Sequence, residues 1–576
     1  MKRTVPALLP AILFLLLTAC MHQETVTPVA ADAPVPGEQP AAAHIGQESR
    51  QRADAMKVRD ELASRKSGRV AGAMLMAAPA SVATSDYAVP AESREKYQNI
   101  SDNPVRLTTE DSVSTFSLDV DTGSYSNVRR FLNQGQLPPA DAVRVEELVN
   151  YFPYDYPDSL PGHPFALSTE IAPAPWNSAH YLLRIGVKTV EKNVAAMPPA
   201  NLVFLVDVSG SMNSPDKLPL VQSTLQLLTA QLRPQDRVAM VVYAGRTAVE
   251  LESTPGNQKE KIRAAIARLQ AGGSTAGESA IRLAYAQARA GYIRGGINRI
   301  LLATDGDFNV GISDIEQIKD MVKRERESGI SLTTLGFGQG NYQEALMEQI
   351  ADAGNGNYSY IDSLSEARKV LVEELSSTFN TVAKDVKIQM EFNPKQVAEW
   401  RLVGYENRVL REEDFRNDKV DAGDVGAGKS VTALYEITPV GAATLHASRR
   451  YSGKPEGQEL GFLRIRYKQP DASTSVELAR AVLHPGNAAL AHEPSADFRF
   501  TAAVAGFGQL LRQSPYTGTF GYQDVKTLAE KSIGSDKNGY RREFITLVGL
   551  AKSLTPAKPL NDVRTQDGHA ADAGRE

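Results

Sequence analysis

The sequence is short of cysteine, of positive charge and of long apolar segments, and each shortage excludes a class of protein. Cys20 is the only cysteine among 576 residues, so no disulfide is expected within the chain. The 63 basic residues do not outnumber the 68 acidic ones, and the net charge of −5 gives no electrostatic basis for nucleic-acid binding. Eight histidines without an H-x-x-x-H spacing give no zinc pattern. No apolar run after residue 20 is long enough to span a membrane.

The N-terminus has the features of an export signal. Two basic residues precede an apolar run that two prolines interrupt, and the run is too short for a comfortable spanning helix of ~20 residues. It ends in "LTAC", which resembles a bacterial lipobox, where a peptidase cuts before the cysteine that carries the lipid. The resemblance implies a signal peptide over residues 1–19 and a lipidated Cys20. Met21 rather than Asp follows, which by similarity to Gram-negative lipoproteins implies the cell envelope, at the periplasmic face of the outer membrane.

Composition and hydrophobic periodicity divide the rest of the chain into a tether and a folded part. Ala, Pro, Gln and Glu dominate the first segment, which has too few aromatic residues to bury the apolar surface that folding needs. Beyond it the periodicity changes several times along the chain. The expected segments are a disordered tether over 20–96, helices and strands over 97–198, an α/β domain over 199–380, a β-rich region over 381–485, a helical region over 486–558 and a disordered tail over 559–576.

The fold class follows from the pattern between residues 199 and 380. Strands that are apolar on both faces alternate there with helices, which indicates an α/β fold with a doubly wound, mostly parallel sheet. The segment "TAVELE" alternates and follows closely on "RVAMVVYA", so it is predicted to be an antiparallel edge strand. The β segments on either side, 164–190 and 385–480, are predicted to pair into one β-sandwich. The α/β domain is then an insertion in that sandwich, and a C-terminal helical region completes the chain.

The motif "DTGS" at residues 121–124 matches an aspartic protease signature in one copy only. That chemistry needs two carboxylates sharing a proton, and no second Asp-Thr-Gly occurs in the chain. The sequence that follows has helical periodicity. We therefore expect a strand-to-helix turn in which Asp121 and Ser124 are caps.

The motif "GDVGAGKS" at residues 423–430 matches the phosphate-binding pattern G-x-x-x-x-G-K-S. Phosphate binding of this kind needs a buried strand before the motif and a helix after it, whose N-terminal amides hold the phosphate. Here a polar segment precedes the motif and the strand-like "VTALYEI" follows it. The context predicts a glycine-rich β-turn.

Three connections carry oxygen-bearing side chains. They supply Asp207, Ser209 and Ser211 after "LVFLV", Thr275 in "GGSTAGES", and Asp305 after "RILLAT". Loops at the carboxyl ends of strands in an open α/β sheet meet in one crevice, so we expect these side chains to lie together. Two carboxylates and three hydroxyls make a hard-cation shell that favours Mg²⁺. Helix capping is the alternative for any one loop, as in the capping-box pattern that begins at Thr275.

The pattern D-x-S-x-S, then T, then T-D-G resembles the metal-ion-dependent adhesion site of von Willebrand factor type A (VWA) domains. The resemblance implies a strand order of 3-2-1-4-5-6 and direct metal ligation by Ser209 and Ser211. It implies that Thr275 and the two aspartates act directly or through water, on Mg²⁺ (or Mn²⁺ or Ca²⁺). The order of lipobox, tether, "SLDVDTGSYSNVRRFLNQGQLPP", VWA pattern and "DVGAG" further resembles the YfbK-like VWA lipoproteins of bacteria, over residues 97–555.

These features predict a binding protein rather than an enzyme. The expected partners are a protein that offers Asp or Glu to the metal, and the lipid bilayer through the N-terminal acyl anchor; no nucleic acid is expected. Two alternatives remain open. A metal-dependent hydrolase would need a general base, and hydroxyl ligands suit it poorly. A structural envelope protein with a non-functional metal site is the other.

Overall fold

A computed structural model describes most of the chain after residue 94. The described residues are 95–118, 121–159, 163–191, 197–273, 277–306, 315–420, 422–445, 458–470, 472–486, 490 and 492–556. They belong to one compact unit, Val89–Glu576. The predictions for the signal peptide, Cys20, residues 20–94, Thr275 and the tail lie outside the described residues. Within those ranges no helix combines the length and the apolar character needed to cross a bilayer.

The strands are numbered in chain order. They are β1 (Arg106–Leu107), β2 (Val113–Ser117), β3 (Phe165–Ala174), β4 (Asn177–Thr189), β5 (Ala200–Asp207), β6 (Arg237–Tyr243), β7 (Thr247–Pro255), β8 (Ile297–Thr304), β9 (Ser331–Phe337), β10 (Tyr358–Ile361), β11 (Thr381–Phe392), β12 (Val397–Val403), β13 (Val409–Leu410), β14 (Gly423–Gly426), β15 (Ser430–Pro439), β16 (Glu459–Lys468) and β17 (Ser475–Leu483).

The α-helices are numbered in the same way. They are α1 (Gly123–Asn133), α2 (Val145–Asn150), α3 (Leu218–Gln231), α4 (Lys259–Ala267), α5 (Gly277–Ala290), α6 (Ile315–Arg326), α7 (Glu344–Ala353), α8 (Leu364–Arg368), α9 (Leu375–Phe379), α10 (Ala496–Leu511), α11 (Tyr522–Lys531) and α12 (Tyr540–Leu554). A π-helical turn, Lys369–Glu373, joins α8 to α9.

The central sheet has the order β10-β9-β8-β5-β6-β7. Its neighbours are parallel except β7, which runs antiparallel to β6 at the edge, as "TAVELE" predicted. When β5 to β10 are renumbered 1 to 6 and the sheet is followed from the β7 edge, this is the order 3-2-1-4-5-6 that the VWA resemblance implies. β5 is buried along its whole length because alternate side chains enter the two apolar layers on either face, Phe204 on one and Leu205 on the other. The doubly wound α/β prediction is confirmed.

Two antiparallel sheets flank this domain in the chain and pack face to face. One has the order β1-β12-β15-β4-β3, and the other has β13-β2-β11-β16-β17 with β14 paired to β11. Strands from before and after the α/β domain pair within each sheet, with Val187 opposite Val431 and Phe116 opposite Ile388. Side chains from both inner faces form one core. The predicted insertion in a β-sandwich is confirmed, and β2, which precedes the segment 164–190, also joins it.

The helical region covers the outer face of the first of these sheets. Helices α10, α11 and α12 pack with α1 and α2 over Leu182 and Leu434 of that face. At the centre Phe152 meets Phe500 edge-to-face at 5.0 Å between ring centroids, and Phe544 lies 5.5 Å from Phe500. Such pairs add about 0.5–1.5 kcal/mol each beyond area burial. The predicted C-terminal helices thus form a third layer on the sandwich.

The prediction that Asp121 and Ser124 cap a helix is wrong. Thr122 precedes α1 and makes no side-chain cap. Asp121 is buried, and its Oδ1 accepts the backbone N–H of Tyr358 at 2.9 Å. The Ser124 hydroxyl donates to the carbonyl of Ala142 at 2.7 Å. Asp121 thus satisfies a backbone N–H of β10, which is an edge strand among the described residues, and Ser124 satisfies a backbone carbonyl of the 3₁₀ turn Ala140–Ala142.

The glycine-rich turn at residues 423–430 is confirmed. Strand β14 enters it, Gly428 has φ +73°, and β15 rather than a helix follows. The Lys429 Nζ atom lies 3.0 Å from Oε2 of Glu374. The lysine of the phosphate-like motif therefore pairs with a carboxylate of the α/β domain.

Candidate metal site

The first loop of the site forms directly at the end of β5. Asp207 is fully buried, and its Oδ1 accepts the backbone N–H of Ser209 at 2.8 Å. A 3₁₀ turn over Gly210–Met212 then brings the hydroxyl oxygens of Ser209 and Ser211 to 3.0 Å from each other. A carboxylate that bonds the backbone two residues ahead stabilises a tight turn. The spacing of two residues thus places three oxygen-bearing side chains in one loop.

The second part of the site comes from the end of β8, the parallel neighbour of β5. The Thr304 hydroxyl donates to Asp207 Oδ2 at 2.9 Å and accepts the N–H of Gly306 at 3.0 Å. Asp305 is fully buried, and the nearby Ser211 hydroxyl helps to lower its pKa. The carboxyl ends of adjacent strands therefore bring Asp207 and Asp305 to one crevice, as the sequence predicted.

The loop that carries Thr275 is described up to Gly273. The N–H of Gly272 donates to the Val208 carbonyl at 2.8 Å, and the N–H of Gly210 donates to the Gly273 carbonyl at 3.0 Å. Gly273 has φ +87°, and an added Cβ would lie 2.8 Å from a backbone nitrogen of the loop after β6. This loop therefore follows the first loop closely. The position of Thr275 itself lies outside the described residues, and its role stays a prediction.

Two polar residues of the site escaped the sequence analysis, Lys217 and Asn341. The Lys217 Nζ atom donates to Asp305 Oδ2 at 3.0 Å and to Asn341 Oδ1 at 2.8 Å. The Asn341 amide donates to the same Asp305 oxygen at 3.0 Å. Asn341 follows β9, the neighbour of β8, so the rule that located Asp305 would also have located Asn341. Lys217 had a weaker signal: one basic residue immediately before the apolar helix α3.

Burial and charge act differently on the two carboxylates. Burial raises the pKa of Asp207 to about 6, and the charge of Asp305 adds to the rise against the hydrogen bonds from Ser209 and Thr304. Burial alone would also raise the pKa of Asp305, but Lys217, Asn341 and Ser211 outweigh it and hold that pKa below its ordinary value. One carboxylate is therefore already neutralised by an ammonium group, whereas no cation among the described residues forms an ion pair with Asp207.

The donor set fits a hard divalent cation. Asp207, Ser209 and Asp305 are buried and Ser211 is exposed, and together they offer carboxylate and hydroxyl oxygens, the ligand chemistry that Mg²⁺ prefers. In the part of the chain that the structure describes, no three His, Cys, Asp or Glu side chains group as a metal cluster. A metal in this crevice would depend on the serine hydroxyls and keep positions for water or an incoming oxygen.

Comparison with known families matches three stretches of the chain. The model of the von Willebrand factor type A domain matches residues 201–374, and a model described as von Willebrand factor matches residues 91–184. The model described as Uncharacterized protein YfbK, C-terminal, matches residues 377–554. The α/β domain with its crevice is thus a VWA domain. VWA domains are typically protein-interaction and adhesion modules, they commonly hold a divalent metal, and their homologues are generally not enzymes.

One relative extends the match to most of the chain. Uncharacterized protein YfbK of Escherichia coli (strain K12) is 50% identical over 501 residues, 85% of this chain and 86% of that protein. The chain belongs to the YfbK family. Inter-alpha-trypsin inhibitor heavy chain H4 of Homo sapiens is 29% identical over 180 residues, 30% of this chain and 18% of that protein. A solved structure, von Willebrand factor type A from Catenulispora acidiphila, is 15% identical over 67% of this chain and 91% of that chain, with a TM-score of 0.37.

Proposed function

We propose that this protein is a lipid-anchored binding protein of the cell envelope. Its VWA domain captures a carboxylate of a partner protein through Mg²⁺ held by Asp207, Ser209, Ser211 and Asp305. One observation carries the proposal: the Thr304 hydroxyl at the end of β8 donates to Asp207 Oδ2 at 2.9 Å, beside the Ser209–Ser211 hydroxyl pair, and this joins the ends of β5 and β8 in one oxygen-lined crevice. Thr275 is proposed as the fifth residue of the set.

The charges around the crevice favour an anionic partner once a divalent ion is bound. Two aspartates and the Lys217 ammonium leave one negative charge in excess, so a divalent ion changes the excess to one positive charge. The bound ion supplies a Lewis-acidic position for an incoming oxygen. An Asp or Glu side chain of the partner satisfies both the charge and the preference of Mg²⁺ for oxygen.

The same contacts favour binding over hydrolysis. The Ser209 hydroxyl is paired with the Ser211 hydroxyl, neither of which can serve as a general base, and Lys217 is engaged by Asp305 and Asn341. An activated serine needs an adjacent base, and hydrolysis by a metal-bound water needs one as well. The proposal is therefore a binding site without a reaction step.

Calorimetry tests the metal site directly. Wild-type protein is titrated with Mg²⁺ and Mn²⁺ beside Asp207→Ala and Ser211→Ala. The matched controls are Asp524→Asn, an exposed carboxylate of α11, and Ser223→Ala, an exposed hydroxyl of α3. We expect binding by wild type and both controls, with loss of measurable binding in Asp207→Ala and weaker binding in Ser211→Ala. Equal binding by wild type and Asp207→Ala would overturn the site.

Crosslinking in cells tests the partner. Partners crosslinked to wild type and lost both in Asp207→Ala and after metal chelation are those held through the metal. Metal binding without any such partner would favour the structural alternative, an envelope protein whose metal site has no binding role.

The lipid anchor and the outer-membrane location form a separate part of the proposal. They are supported by the lipobox-like "LTAC" and by Met21 after the cysteine. Metabolic labelling with palmitate and membrane fractionation test them. We expect label and outer-membrane recovery for wild type, with both lost in Cys20→Ala. Labelled Cys20→Ala protein would show that Cys20 is not the acylated residue.

A further inference from the structure

The loop between β9 and α7, residues 338–343, forms one wall of the metal crevice. Its Asn341 side chain contacts both Asp305 and Lys217. Gly338 and Gly340 have φ angles of +76° and +87°, conformations that side-chain-bearing residues rarely adopt. The side chain of Lys217 packs against Gly338, where an added Cβ would lie 2.3 Å from it. The position of Asn341 thus depends on what holds this loop.

The first described residues of the chain bind the same loop. The N–H of Gly340 donates to Glu95 Oε1 at 2.8 Å, and the N–H of Lys96 donates to the Tyr342 carbonyl at 3.0 Å. Lys96 and Gln343 form an isolated parallel β-bridge. We call residues 95–97 the strap. Its contacts lie one residue on each side of Asn341, although the sequence had suggested that residues up to 96 belong to a disordered tether.

A buried ion pair holds the strap from the other side. Glu95 Oε2 lies 2.8 Å from Arg130 of α1, and the two side chains are 3% and 8% exposed. Tyr97 donates to the same carboxylate at 2.6 Å and accepts from Asn127 at 3.0 Å. A buried carboxylate in this setting is strongly disfavoured unless its partner stays in place. The strap is therefore fixed to α1 at its back and to the 338–343 loop at its front.

We propose that the strap positions the 338–343 loop so that Asn341 stays against Asp305, and that docking of the strap thereby sets the affinity of the crevice for its divalent ion. The strap adjoins the chain that leads back to Cys20, so a pull on that chain reaches the strap before any strand of the sandwich. Glu95 and Lys96 are positioning residues, since they act on the ion only through the loop. This inference rests on the proposed function.

The sharpest test removes one backbone hydrogen bond of Lys96 and compares this with the loss of the Lys96 side chain alone. Lys96 is an exposed residue. Lys96→Pro removes the N–H that donates to Tyr342, because proline lacks that donor, while Lys96→Ala keeps it and is the matched control. Glu95→Gln and Glu95→Ala form a second series, since glutamine can still accept the Gly340 N–H. Glu260→Gln, in an exposed Glu–Arg pair of α4, is the control for lost charge.

Full-length protein in detergent is measured for amide exchange, Mn²⁺ affinity and thermal midpoint. We expect Lys96→Pro and Glu95→Ala to speed exchange in the peptide spanning 338–343 and to weaken Mn²⁺ binding about three- to tenfold, Glu95→Gln to do so less, and both controls to match wild type. Such a change in affinity is about 0.7–1.4 kcal/mol. The affinity readout distinguishes positioning from general stabilisation, since a purely structural role would lower only the thermal midpoint.

Two results would overturn the proposal that the strap positions the 338–343 loop. One is unchanged exchange over 338–343 in both Lys96→Pro and Glu95→Ala, and the other is faster exchange there with unaltered Mn²⁺ affinity. Failure of the underlying metal site looks different. Wild type and Lys96→Ala would then both fail to bind Mn²⁺, which would overturn the proposed function and with it the role of the strap in affinity.

Discussion

The Lys217 Nζ atom donates to Asp305 Oδ2 at 3.0 Å. Lys217 immediately precedes α3. The lysine thus arises from the same β5–α3 connection as Asp207, but it neutralises the aspartate that follows β8. Its stem lies against Gly338 and its ammonium group also meets Asn341. One side chain therefore links three of the loops around the crevice, and it places a fixed positive charge where a divalent ion is proposed to bind.

Replacing Lys217 by methionine is expected to tighten divalent-ion binding. Methionine keeps an apolar stem against Gly338 but removes the positive charge that repels the ion, and we expect about a tenfold lower dissociation constant for Mn²⁺, roughly 1.4 kcal/mol. Calorimetry against wild type measures the dissociation constant, with Lys261→Met, at an exposed lysine of α4, as the control. Weaker binding in Lys217→Met would mean that the lysine serves mainly to orient Asp305.

Glu374 is expected to contribute stability that disappears in acid. Burial disfavours its charged form, but Lys369 and Lys429 prevail and lower its pKa to about 2. A depressed pKa stabilises the fold above the unfolded-state value near 4.5, and the stability is lost as pH falls toward 2. Glu374→Gln should cost about 1–3 kcal/mol at pH 7, an amount reduced because the side chain is 27% exposed.

Urea unfolding of wild type and Glu374→Gln at pH 7, 4 and 3 checks the sign. The difference in unfolding free energy between the two proteins should narrow steadily as the pH falls. Glu493→Gln changes a side chain that is 76% exposed beside Arg499 of α10, so it should differ little from wild type throughout. A difference in unfolding free energy that widens in acid would contradict the lowered pKa of Glu374.

Glu344 is expected to lower stability at high pH, whereas Glu374 loses its contribution in acid. Burial raises its pKa to about 8, only partly offset by Arg144, and its carboxyl oxygens have no hydrogen-bond partner among the described residues. A raised pKa leaves stability intact below the unfolded value near 4.5 and removes it as pH rises through about 8. Glu344→Gln should match wild type near pH 4.5 and exceed its stability by about 2–4 kcal/mol at pH 8.

Denaturation at the two pH values measures this, with Glu316→Gln on the exposed face of α6 as the control. A variant less stable than wild type at pH 8 would show that the charged form of Glu344 is the one the fold stabilises.

Substitution of Arg129 is expected to be among the most destabilising in the N-terminal region. It is 4% exposed and meets Asp362 at 2.5 Å and Glu366 at 2.8 Å, tying α1 to the segment that begins α8. Arg129→Met leaves both buried carboxylates without the Arg129 guanidinium, which should cost about 3–5 kcal/mol in unfolding free energy. Arg289→Met, which breaks a surface pair with Glu325, should cost less than about 1 kcal/mol by the same urea measurement.

Hydrophobic period and strand-end position were enough to predict the α/β sheet, its antiparallel edge, its insertion in a sandwich and the meeting of Asp207 with Asp305. These features depend on residues near one another in the chain or on a general property of parallel sheets. The roles of Asp121 and Ser124 were not predictable, because Asp121 serves Tyr358, 237 residues away. Lys217, Asn341 and the strap also depend on which loops fold against each other, and no local pattern specifies that.

The pairing of β2 with β11 joins two strands that lie far apart in the chain. Gln389 donates to Thr115 across this pair, and the two residues are 274 positions apart in the chain. The strands of the VWA sheet all lie within the intervening stretch, so that domain has its own partners before β11 is available. Distant pairings form late because the intervening chain must first be brought together. While the polypeptide is being made, β2 therefore has neither of its neighbouring strands until the second half of the chain is available, and unpaired strands of this kind are open to aggregation and proteolysis.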